Sequence, residues 1–92
     1  MKNKTFLLVL LAAFSMTMSA QITGTVLDAS TAEPIIGANI IEKGTVNGTI
    51  TDFDGNFILN VQEGATLEIS YMGYKTVEVQ AINGLTVNLQ ED

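Results

Sequence analysis

The 92-residue sequence has no cysteine, no histidine, no tryptophan and a single proline. Its four basic residues are all lysines, so arginine is missing as well. Each absence removes a class of function. Without cysteine there is no disulfide staple, no thiolate nucleophile and no soft metal site. Without histidine the usual general base and the commonest metal ligand are gone. With so few basic side chains the chain cannot neutralise a run of phosphates, which excludes nucleic acid and anionic lipid as partners.

What is present falls into two parts. Lys2 and Lys4 open the chain, Phe6 to Phe14 is an unbroken apolar run, and Ser15 to Ala20 is a short region of mostly small residues. This order predicts an export signal over residues 1–20, cleaved after Ala20. Met18 is bulkier than the small residue preferred three places before the cut, so the site can shift by one position. The alternative is a membrane anchor, but the apolar run is about half of the roughly 20 residues a spanning helix needs. No cysteine follows the cut to carry a lipid.

Residues 21–92 are expected to form one domain. Cleavage leaves Lys43 and Lys75 against all ten carboxylates, a formal charge of −8. Such acidity favours solubility. Apolar residues here recur with a period of two, the mark of half-buried strands. Seven segments show it: Gln21–Leu27, Ala38–Glu42, Thr45–Thr51, and runs centred on Phe57/Leu59/Val61, Leu67/Ile69/Tyr71, Val77/Val79 and Leu85/Val87/Leu89. Adjacent Ile40 and Ile41 predict burial on both faces of the second. Asn47–Gly48, Asp54–Gly55, Glu63–Gly64 and Asn83–Gly84 supply turns. Short strands with a turn at each break predict an all-β, seven-stranded antiparallel Greek-key sandwich.

Few residues in the sequence are able to carry chemistry. Asp52 and Asp54 are the obvious carboxylate pair, in Thr51-Asp52-Phe53-Asp54-Gly55-Asn56-Phe57. Asp and Asn bond their own backbone in tight turns and Gly takes the left-handed position, so this segment reads first as a hairpin. A weak Ca²⁺ loop is the alternative. Glu63 lies eleven residues after Asp52, but Gly55 stands at the fourth loop position where an EF-hand needs the sixth. Asn47-Gly48-Thr49 matches a glycosylation sequon and is also simply a turn. In Tyr71-Met72-Gly73-Tyr74, Tyr71 follows the inward alternation and is expected in the core. Met72 and Tyr74 are expected at an exposed end, where they would suit a protein contact.

Four ordered blocks carry a resemblance: Ile22-Thr23-Gly24-Thr25-Val26-Leu27-Asp28, Glu33-Pro34-Ile35-Ile36-Gly37-Ala38-Asn39-Ile40, Gly48 to Phe57, and Leu67 to Tyr74. Together they resemble the carboxypeptidase-regulatory-like domain, a transthyretin-like (prealbumin-like) sandwich. The wording is most similar to the N-terminal extension of SusC/RagA-type TonB-dependent outer-membrane transporters of the Bacteroidetes. The resemblance implies a non-catalytic module, with no catalytic residues, cofactor or metal. It implies a location on the periplasmic side of the outer membrane. Implied partners are the plug and barrel of a nutrient transporter, the TonB machinery or a surface lipoprotein system, serving glycan or peptide uptake. Those transporters continue into a plug and a barrel, which residues 21–92 cannot contain. The chain is therefore expected to be either the front piece of a receptor or a free-standing module. Candidate contact residues are Asp52, Asp54, Asn56, Met72, Tyr74 and Lys75. A secreted carbohydrate-binding or structural sandwich is the alternative, although the domain offers only Phe53, Phe57, Tyr71 and Tyr74 as aromatics.

Overall fold

A computed structural model describes residues 20–92; the expected export signal lies outside the described residues. Seven strands form: β1 (Ile22–Asp28), β2 (Asn39–Glu42), β3 (Gly48–Ile50), β4 (Asn56–Leu59), β5 (Thr66–Ser70), β6 (Val77–Gln80) and β7 (Leu85–Leu89). They make two sheets, β4-β1-β7 and β3-β2-β5-β6, and the chain crosses repeatedly between them. The sandwich is the one the alternation predicts. One pairing departs from an all-antiparallel scheme, because β1 and β7 run parallel, from Gly24 opposite Leu85 to Asp28 opposite Leu89.

The alternation explains the layering. Ile22, Val26, Phe57, Leu59, Val87 and Leu89 from one sheet meet Ile40, Leu67 and Ile69 from the other, all buried. Full burial of an aliphatic side chain contributes roughly 1.5–3 kcal/mol, and Ile40, Leu67, Ile69 and Leu89 are fully enclosed. Partners on one sheet share a face: Ile40 stands opposite Ile69, and Leu67 opposite Val79.

Two sequence expectations change here. Ile41 is 42% exposed rather than buried, because β2 has one face on the core and the other in solvent. The third strand is limited to Gly48–Ile50, because Thr45 to Asn47 form the turn after β2. There Thr45 N–H bonds the Glu42 carbonyl, and the Asn47 carbonyl accepts from Glu42 N–H.

Strand directions place seven strand ends at one pole. β1, β3, β5 and β7 finish there, and β2, β4 and β6 begin there, since Asn39 pairs with both Ile50 and Ser70. The segments 29–38, 51–55, 71–76 and 90–92 all gather at this pole, called the loop end below.

Candidate contact surface at the loop end

The Asp52 turn is built by its own carboxylate. Oδ1 of Asp52 accepts from the backbone N–H of Asp54 (3.0 Å) and of Asn56 (2.9 Å). Asp52 N–H bonds the Asn56 carbonyl, and Gly55 N–H bonds the Asp52 carbonyl. The expected tight turn forms, with Gly55 at φ 76°. It is not a hairpin: β3 and β4 on either side of it lie in different sheets and do not pair, so the turn carries the chain from one sheet to the other. The turn is fastened inward because the Gly55 carbonyl accepts from Val26 N–H in β1. Asn56 Oδ1 accepts from the Thr25 hydroxyl at 2.7 Å. Phe53, at the tip, is 83% exposed. A groove of about 600 Å³ runs beside the turn over Thr23, Thr25, Asn56 and Ile58, with Ile50 on its rim.

The second part of the loop end is organised by a residue that sequence reasoning passed over. Asp28 closes β1 at 8% exposure. Its Oδ1 accepts from the backbone N–H of Ser30 (2.7 Å) and Thr31 (3.0 Å), and its Oδ2 accepts from the Tyr74 hydroxyl at 2.6 Å. The Tyr74 hydroxyl, then the Thr31 and Ser30 amides, hold the Asp28 carboxyl below its ordinary range. The same bond, with burial behind it, pushes the Tyr74 phenol up to about 12. The signal was present in the sequence: Asp28 continues the inward parity of Ile22, Gly24 and Val26, and Ser30 and Thr31 follow as turn partners.

The tyrosines exchange the places the alternation predicts. β5 ends at Ser70, and a tight turn follows, with Tyr74 N–H on the Tyr71 carbonyl and Gly73 at φ 85°. The period of two stops there, so Tyr71 is 38% exposed while Tyr74 packs against the core. Their rings lie 5.9 Å apart. Met72, at the apex, is 91% exposed, and Lys75 is exposed. The same loop holds the last residues: Lys75 N–H bonds the Gln90 carbonyl, Tyr74 bridges Glu91, and Asp92 N–H bonds the Gly73 carbonyl.

The structure therefore gathers all six candidate residues at one end, in two groups. Asp52, Asp54 and Asn56 form one turn. Met72, Tyr74 and Lys75 form the other, with Tyr74 turned inward as its anchor. Among the described residues no three acidic side chains converge in metal-ligand fashion.

Two face-packed sheets with one irregular, side-chain-rich end define a small β-sandwich module. Its sequence matches the CarboxypepD_reg-like domain over residues 22–92, and the chain belongs to that family. The family is a regulatory and transporter-associated domain rather than a known catalytic one. The TonB-dependent receptor SusC of Bacteroides thetaiotaomicron is 44% identical over 91 residues, covering 94% of this chain and 9% of the receptor. The TonB-dependent receptor P3 of Formosa agariphila is 36% identical over 88 residues, covering 92% of this chain and 9% of the receptor. The chain thus spans about a tenth of the length of these relatives. Among solved structures, a chain of the type II cohesin–X-dockerin complex of Acetivibrio cellulolyticus superposes with a TM-score of 0.54 at 25% identity. That match covers 77% of this chain and 51% of the other.

Proposed function

We propose that the chain is the non-catalytic, periplasm-facing module of a TonB-dependent outer-membrane receptor for glycan or peptide nutrients. It works through its loop end. The observation that carries this reading is the match of nearly the whole chain to a segment of SusC. The exposed Met72, Phe53 and Lys75 at that end supply what a protein contact uses: an adaptable apolar side chain, an aromatic ring and a charge at the rim. The plug of the receptor, the TonB machinery or a neighbouring periplasmic protein is the partner. The module is exported by residues 1–20 and needs neither cofactor nor metal.

A graft tests this. The matching segment of SusC is replaced by residues 21–92, and uptake of that receptor's own substrate is measured. Retained uptake is expected, with a several-fold loss on Met72→Asp combined with Lys75→Glu at unchanged receptor level. Uptake that survives complete removal of the segment, or that ignores both substitutions, refutes the reading.

A further inference from the structure

A two-sheet sandwich exposes four strand edges, and an unprotected edge is a template for another strand. Three of the four are guarded. On β4, Asn56 has both backbone groups bonded to Asp52, and the Asn60 carbonyl accepts from Asn47 Nδ2 at 2.8 Å. That leaves only Ile58 open. β3 is three residues long and abuts β4. β6 carries Glu78 at its centre, held by Lys43 at 2.9 Å.

β7 differs. The Leu89 carbonyl accepts from Ala29 N–H on the β1 side, whereas the Gln90 carbonyl accepts from Lys75 N–H on the opposite side. Strand alternation then directs the N–H and C=O of Thr86 and Asn88 away from β1. Among the described residues these groups have no partner on the open side. Leu85-Thr86-Val87-Asn88-Leu89 contains no charge, no proline and no bulge.

We propose that this edge pairs with the β7 of a second copy of the chain, antiparallel about Val87. The pairing has the alternation an antiparallel ladder requires. Val87 meets its own copy as a non-hydrogen-bonded pair. Thr86 meets Asn88 of the second copy on either side, each pair exchanging two hydrogen bonds. Leu85, the half-buried member of the inward face, stands opposite Leu89 of the second copy, which stays enclosed in its own core. The second copy turns away at Gly84, before it reaches the Lys75–Gln90 bond.

Charge permits a self-partner at this edge and opposes one at β6, while β3 and β4 are guarded by their length and their bonded backbone groups. The chain is strongly acidic, yet this seam brings no carboxylate opposite another. The same operation on β6 would set Glu78 against Glu78. Net repulsion between copies opposes the dimer and is screened by salt, so association strengthens as salt is raised. The contact is small for a protein interface, which places it at micromolar to millimolar concentration. This self-association is independent of any receptor.

Sedimentation velocity on the full chain from micromolar to millimolar concentration tests the pairing. A reversible monomer–dimer equilibrium is expected. Thr86→Glu with Asn88→Glu sets like charges opposite each other at both pairs and weakens the dimer roughly tenfold. Thr86→Lys with Asn88→Lys does the same. Mixing the two variants restores a dimer, as only a β7–β7 seam predicts. Thr86 and Asn88 are exposed, and circular dichroism verifies that both variants remain folded. A monomer throughout the range overturns the proposal. So does a dimer indifferent to both variants, or a mixture that stays monomeric.

Discussion

Gly24 lies in β1, the central strand of its sheet, and the Phe57 ring crosses directly over it. A Cβ at this position would stand 2.5 Å from both Cε2 and Cζ of Phe57 and 3.0 Å from the Leu85 carbonyl oxygen. Carbon atoms pack at about 3.5–4.0 Å, so the ring would have to retreat by on the order of 1 Å. Phe57 is buried at 3% exposure, and the oxygen belongs to the backbone of the neighbouring strand, so neither yields freely. Overpacking of this kind costs about 1–3 kcal/mol. Replacing glycine within a strand returns about 0.5–1 kcal/mol of backbone entropy. Gly24→Ala should therefore destabilise the domain by about 1–2 kcal/mol. A domain of this size has roughly 4–11 kcal/mol in total. With a slope near 1 kcal/mol per molar urea, the midpoint should fall by about 1–2 M. The decisive experiment is a double-mutant cycle with Phe57→Leu, which removes the obstructing ring atoms and alone costs about 1–2 kcal/mol. The two penalties should fail to add, with a coupling of about 1 kcal/mol. Additive penalties, or a Gly24→Ala variant as stable as the parent, would refute the argument.

Two further outcomes are expected. Gly55→Ala should lower the urea midpoint by an amount equivalent to about 1–3 kcal/mol, because φ is 76° and a Cβ would sit 2.7 Å from the Val26 carbonyl oxygen. The Asp28–Tyr74 bond should appear at both ends of the pH scale. The Asp28 carboxyl is depressed below 3.8, so its stabilisation is complete above that value and is lost as pH falls through the folded pKa. The Tyr74 phenol is raised from 10.0 to about 12, so its stabilisation is complete below 10 and is lost as pH climbs through about 12. Ultraviolet titration of the two tyrosines should show the late step moving down toward 10 in Asp28→Asn. A late step unmoved by that substitution would rule out the bond as its cause.

The period of two made the sheets and most of the core legible, since it reports directly which side chains face inward. It failed where strands stop. Beyond Ser70 the alternation points Tyr71 inward, but the turn at Gly73 resets the phase and sends Tyr74 inward instead. The pair Ile40–Ile41 looked buried on both sides because apolarity alone does not reveal that one face of a sheet is left in solvent. The Asp52 turn was readable because its determinants are local: Asp, Gly and Asn within five residues. Asp28 was not readable in the same way. Its amide donors are two and three residues away, but the hydroxyl that completes the site comes from 46 residues further along the chain. The parallel partnership of β1 with β7 was hidden for the same reason: pairing between the first and last strands is a property of the closed fold.

That partnership also governs how the module responds to tension. The chain enters β1 at Ile22 and leaves β7 at Leu89, at opposite poles, and the two strands are parallel neighbours. A pull applied between the start of β1 and the end of β7 drags them past each other lengthwise. The ladder is then loaded in shear, with its hydrogen bonds sharing the force, rather than peeled open one bond at a time. Forced unfolding is governed by the unfolding rate rather than by equilibrium stability. Stretching between the two ends should therefore need markedly more force than pulling β5 and β6 apart across their antiparallel hairpin, and equal forces would contradict the shear geometry. A module of this construction answers lengthwise load as a stiff clasp that fails as a unit.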